Sequence, residues 1–204
     1  MWSAYGDGDG PDEDAVRRMS APENELPAML PVSVLLARTD DLAVGLVGLQ
    51  VYSTGLAFDV VVRVRPSAAE RLGASLQEVF WDHPPHRRGG RFLIGIELGD
   101  GRRVTNLRSD ADVVFHQGGG GGGDTSVDQG WWLSPLPPDG PLRIVVRCDE
   151  LGLPETATEL DGTAIRAAAS DVVVLWPWER RSEFGAPPPP PPPDVPPDSW
   201  FRSS

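Results

Sequence analysis

The residues best suited to chemistry sit at Asp82-His83-Pro84-Pro85-His86. Two imidazoles three positions apart, beside a carboxylate, are zinc-ligand types, and on a helix that spacing would turn both rings toward one ion. His116 is the remaining imidazole, so a histidine metal set would be His83, His86 and His116, completed by Asp or Glu. Two prolines inside the motif oppose the helix. The Arg87-Arg88-Gly89-Gly90 that follows marks an exposed loop. The plainer reading is a solvated loop with two ordinary histidines.

Gly118 to Gly123 offers a second chemistry, because successive backbone N–H groups can cradle an anion. Yet no clear helix starts after Asp124, and a glycine homopolymer is not the G-x-G-x-x-G fingerprint. A flexible hairpin connection is the simpler expectation. A pocket beneath this loop is the alternative that would make the protein a small-molecule binder.

The chain contains no lysine, which excludes a P-loop lysine and Schiff-base catalysis. It carries no G-x-S-x-G and no H-E-x-x-H. Cys148 is the single cysteine, so an intramolecular disulfide and a multi-cysteine zinc site are excluded. It falls at the inward parity of an apolar strand, where a thiol acts as a small core residue. No catalytic residue is assigned, and no cofactor is expected.

Surfaces are the remaining candidates. Trp131-Trp132 and Trp176, Trp178 come in near-adjacent pairs. Alternation turns one of each pair inward, and Trp132 and Trp176 are the expected core members. Trp131 and Trp178 are then left to line a binding surface. Arg63, Arg65, Arg143 and Arg147 share outward parity on two strands. If those strands are neighbours they form an arginine-rich face; otherwise the face is solvated and neutralised by acids. Near the C-terminus, Trp200-Phe201 follows seven prolines, Pro187 to Pro193, a polyproline II spacer of roughly 22 Å. Such a spacer with an aromatic hook suits a protein partner.

The elements that must position these residues are organised around Pro31 to Arg65. Turn residues at Thr39-Asp40-Asp41 and Ser53-Thr54-Gly55 divide this apolar stretch into three strands of a meander. Phe58, Val60, Val62 and Val64 share one face and Asp59, Arg63 and Arg65 the other. The middle run is apolar throughout, as if covered on both faces, with Gly45 and Gly48 as bulge sites. Ser67 is placed to cap a helix over 68–80, with Leu72, Leu76, Val79 and Phe80 on one side. A hairpin turns at Gly99-Asp100-Gly101. Further strands are expected at 113–116, 131–136, 142–148, 156–160 and 172–176. Asp161 caps a short helix running from Gly162.

This pattern predicts an all-β protein: an antiparallel β-sandwich of about nine strands, immunoglobulin-like or jelly-roll-like, with one or two short helices. Residues 26–185 form the domain. Residues 1–25 are expected to be a disordered acidic tail and 186–204 a disordered proline-rich tail, both dispensable for folding. Trp132-Leu133-Ser134-Pro135-Leu136-Pro137-Pro138, Gly140-Pro141-Leu142, Glu155-Thr156 and Leu175-Trp176-Pro177 resemble β-sandwich proteins of GC-rich bacteria that have no assigned activity. The resemblance implies a fold unit and no chemistry.

Net charge is −12 and no segment is basic overall, which argues against nucleic acid and against an anionic membrane surface as partners. No uncharged apolar run reaches about 18 residues. Asp7, Asp9, Asp12, Glu13 and Asp14 stand where a signal peptide needs positive charge, so the expected location is cytoplasmic. The expected function is a non-enzymatic interaction or structural module, with metal binding through the three histidines as the first alternative.

Overall fold

Hydrophobic alternation sets the architecture seen in a computed structural model, which describes residues 13–80, 92–107 and 112–179. After a short helix, Glu13–Arg18 (α1), and a two-residue strand, Glu25–Leu26 (β1), the chain enters the meander: Ala28–Arg38 (β2), Leu42–Val51 (β3) and Leu56–Val64 (β4). The first turn is held by Thr39, whose Oγ1 accepts from the backbone N–H of Asp41 and of Leu42. Phe58, Val60, Val62 and Val64 are buried while Asp59 and Arg63 are exposed, as their parity requires. β3 departs from expectation. Only Leu42, Val44, Leu46, Leu49 and Val51 are buried, and its other face is half-covered. Gly48 makes the bulge, at φ +65°, whereas Gly45 pairs with Leu35 and Val61, and the irregularity beside it falls on β2 between Leu35 and Ala37.

A 3-10 turn, Pro66–Ala68, leads into the helix Ala69–Phe80 (α2). Ser67 lies inside that turn rather than capping the helix; Pro66, with its fixed φ, starts the turn instead. Leu76, Val79 and Phe80 are buried and Leu72 packs against them.

Leu93–Glu97 (β5) and Arg103–Thr105 (β6) form the expected hairpin. Then follow Val114–Gly122 (β7), Ser126–Ser134 (β8), Pro141–Cys148 (β9) and Leu153–Asp161 (β10). The Asp161 carboxylate accepts from the Ala164 N–H and caps Gly162–Ala168 (α3). The last described strand is Val173–Val174 (β11). The glycine run is not a loose connection. Gly120, Gly121 and Gly122 pair with Gln129, Asp128 and Val127, and a bulge absorbs the residues after Gln117. Backbone pairing to β8 holds this strand where side chains could not.

Among the described residues the sheets run β2-β3-β4-β8-β7, β10-β9-β5-β6 and β1-β11, with antiparallel pairing throughout. The first two face each other as a β-sandwich. Val44, Leu46, Val60, Val62, Val127 and Leu133 from one meet Ile94, Ile96, Leu142, Ile144 and Val146 from the other in a single core. Hydrogen bonds tie β10 to β2, with Thr156 Oγ1 donating to the Leu36 carbonyl at 2.9 Å. α2 supplies Val79 and Phe80 to the core, and Phe80 packs on Phe92 with ring centroids 4.7 Å apart. Among the described residues no helix is long and apolar enough to cross a membrane.

The stretch expected as an acidic tail makes defined contacts from Glu13 onward. α1 carries Glu13 and Asp14 in its first turn and Arg17 and Arg18 in its last, matching the helix dipole. The carbonyl of Arg18 accepts from Trp132 Nε1–H at 2.8 Å. The segment therefore lies against the outer face of the five-stranded sheet.

Candidate functional site

His83 and His86 lie outside the described residues. His116 sits on the outer face of β7 opposite Trp132. Its Nε2 lies 2.8 Å from the Met19 carbonyl oxygen and its Nδ1 3.1 Å from that of Gln117. Both ring nitrogens are thus engaged with backbone, and among the described residues no three His, Cys, Asp or Glu side chains converge.

The four outward arginines are not on one face. Arg63 and Arg65 are on or just beyond β4, while Arg143 and Arg147 are on β9 in the opposite sheet. Arg63 pairs with Asp128 and shares a polar hollow with Arg65 and Arg38. Burial, and then the charge of Asp128, push the Asp59 carboxyl above its ordinary value. Arg143 and Arg147 border a shallow hollow of about 530 Å3 on the four-stranded sheet, floored by Leu93, Gly95 and Val145. There Arg103 pairs with Glu97 and Arg147 with Asp149, both within 3 Å, so acids neutralise the cations locally.

The tryptophans also rearrange. β8 turns Val127, Gln129, Trp131 and Leu133 inward, so Trp131 is the core member and stacks on Phe115 at 5.0 Å. Trp132 points the other way yet is only 4% exposed: Arg18, at the end of α1, meets its N–H and Tyr52 packs on it edge-on. Trp176, expected in the core, is exposed at 55%. Trp178 is half-buried, with the Arg17 guanidinium 5.2 Å above its ring. Trp200 and Phe201 lie outside the described residues.

Two features were missed in the sequence. The first is an apolar patch on the two-stranded ribbon. Leu26 pairs with Val173 and Glu25 with Val174. Leu26, Val173, Val174, Leu175 and Trp176 are all between 42% and 60% exposed. The ribbon is nonetheless fixed. The Leu175 N–H donates to the Asn24 carbonyl, and Asn24 Nδ2 to the Trp176 carbonyl, both at 2.8 Å. Next to them the buried Glu25 carboxylate accepts from the N–H and hydroxyl of Ser53, anchoring β1 to the β3–β4 turn. Burial and the nearby Glu25 raise the Tyr52 hydroxyl above its ordinary value. A strand pattern cannot reveal this patch, because apolar residues in a strand read as core.

The second is a cavity of about 230 Å3 lined by Phe80, Phe92, Phe115, His116, Gln129 and Trp131 among others. α2 ends at Phe80, whose carbonyl has no intrahelical partner. Gln129 Nε2 donates to it at 2.6 Å. Among the described residues, Gln129 Oε1 and Trp131 Nε1 are buried without a hydrogen-bond partner. Each such orphan costs about 1–3 kcal/mol of stability. The signal available in sequence was a lone amide at inward parity in β8.

Cys148 is buried, and burial pushes its thiol up to about 11 from 9.0. Well below pH 9 the thiol is protonated in folded and unfolded chains alike. Between 9.0 and about 11 only the unfolded chain ionises, so stability should fall as pH rises through that window. Denaturant titrations at stepped alkaline pH should show the fall, and Cys148→Val should flatten it. Native protein at pH 8 should react with a thiol reagent only as fast as it unfolds; a rapid reaction would place the thiol at the surface.

Fold and surface together define an antiparallel β-sandwich that carries, among the described residues, a hydrogen-bonded ribbon with exposed apolar side chains and a small aromatic cavity. Compared with known proteins, the chain matches no family model, no curated protein and no solved structure.

Proposed function

We propose that the protein is a non-enzymatic interaction module, and that it docks a protein partner on the β1–β11 ribbon. The observation that carries this reading is the exposure of Leu26, Val173, Val174, Leu175 and Trp176 on a ribbon that hydrogen bonds hold in place. Clustered exposed apolar side chains on a folded domain mark interaction sites. A surface already ordered loses little entropy on binding, and tryptophan is the residue type most enriched among energetic anchors. The partner surface would be apolar at its centre, and cationic at its rim to suit a chain of net charge −12.

A photo-crosslinking residue at Val174, introduced in the source cell, should yield a discrete adduct that the same residue at Glu159 does not. Trp176→Ala should weaken the identified complex by about 2 kcal/mol or more. Its melting temperature should stay close to that of the parent, because exposed substitutions usually change stability by less than about 0.5 kcal/mol. A ribbon that gives no adduct of its own would overturn the reading.

A further inference from the structure

We propose that the cavity between the end of α2 and strands β7 and β8 binds a small, neutral, flat heterocycle bearing both a carbonyl oxygen and a ring N–H. The cavity is separate from the ribbon, and its chemistry does not depend on the docking reading.

Three properties of the lining select this class. The walls are aromatic: Phe80 lies against Phe92, and Phe115 is stacked on Trp131. Rings prefer ring-shaped company, offset-stacked or edge-on. The unpaired polar atoms are of opposite sense. Trp131 Nε1–H is a donor awaiting an acceptor, and Gln129 Oε1 is an acceptor awaiting a donor. Their residues are 4% and 2% exposed and two positions apart on the same face of β8. A lactam, pyridone or pyrimidine carries the complementary pair on one ring. Among the described residues the lining also holds no Asp, Glu or Arg, and the His116 ring nitrogens already face the Met19 and Gln117 carbonyls, so these residues offer no ion pair to a charged ligand. Asn106, another lining residue, is fully used: its Oδ1 accepts from Ile94 N–H and its Nδ2 donates to the Phe92 carbonyl.

Size agrees. A cavity of about 150 Å3 suffices for benzene, and this one measures about 230 Å3. Water alone is a poor tenant. A buried water takes about 30 Å3 and needs two to four polar partners. One water could bridge the two orphans, but the remaining space against four aromatic rings would hold waters without partners.

The probes are 2-pyridone, uracil and benzene, titrated into the full chain and followed by ligand-observed NMR and calorimetry. The heterocycles should bind saturably and more tightly than benzene. In the unmodified protein, ligand protons should show nuclear Overhauser contacts to the Phe92 and Phe115 rings. Trp131→Phe keeps an aromatic ring beside Phe115 and removes the N–H together with the five-membered ring; it should weaken heterocycle binding about tenfold or more while benzene still binds. Gln129→Leu should act in the same direction, and Trp176→Ala on the ribbon should have no effect. Absence of saturable binding by both heterocycles would mean a cavity that holds water only, and would overturn the proposal. So would a preference for benzene, or heterocycle contacts to rings outside the cavity wall formed by Phe80, Phe92, Phe115 and Trp131.

Discussion

Val62→Asp should abolish cooperative folding at neutral pH, while Arg63→Asp, one residue on, should leave a folded domain. Val62 is fully buried, pairs with Val44 on one side and Val127 on the other, and faces the β5–β9 sheet across the core. Replacing it removes the burial of a Val side chain, about 1.5–3 kcal/mol. It also strands a carboxylate with no partner at the centre of the sandwich, a cost of several kcal/mol more. Together these approach the whole stability of a typical domain, about 5–15 kcal/mol. Arg63 is exposed, and its pair with Asp128 lies in solvent, where such bridges contribute about 0–1 kcal/mol. An acid at position 63 would add repulsion from Asp128 but leave the core untouched. Circular dichroism melts of the two variants decide it: similar melting temperatures would mean that β4 does not hold the observed register.

This contrast was legible because β4 states its register in its own side chains: Asp59 and Arg63 fall at alternate positions to Phe58, Val60, Val62 and Val64. The Asp161 cap, the Gly99–Gly101 turn and the buried side of α2 were legible for the same reason, since each depends on neighbours close in sequence. The misreadings share the opposite property. Gly118 to Gly122 have no side chains to signal a strand, and their order comes from the β8 backbone. Trp131 and Trp132 cannot be assigned faces from alternation when both faces of β8 are covered. The arginines of β4 and β9 look equivalent until sheet order separates them. Gln129 and Trp131 become a candidate site only when the end of α2 arrives above them. The ribbon was illegible because Val172 to Trp176 has the composition of a core strand. Its partner, β1, is only two residues long and lies almost 150 positions earlier in the chain.

Removing residues 1–20 should destabilise the domain, although their acidic, Gly- and Pro-rich composition reads as a dispensable tail. The physical reason is Trp132. It belongs to the outer face of the five-stranded sheet, where an indole would ordinarily meet water, yet it is 4% exposed and its N–H donates to the Arg18 carbonyl. The His116 ring meets the Met19 carbonyl beside it. Truncation uncovers one aromatic face and breaks both contacts. At about 25 cal/mol per Å2, re-exposing part of an indole and losing two hydrogen bonds should cost about 2–4 kcal/mol. For a chain of this size that lowers the melting temperature by roughly 5–15 °C. Trp132→Ala in the full chain should cost about 3–5 kcal/mol. The same substitution in the truncated chain should cost distinctly less, because the cover it removes is already gone. The difference between the two is the coupling energy of segment and sheet. Trp132 fluorescence should also shift to the red and become quenchable by acrylamide when the segment is missing. A truncated chain that melts with the full-length protein, with Trp132 still shielded, would show that the sheet buries this residue without help from the segment 13–20.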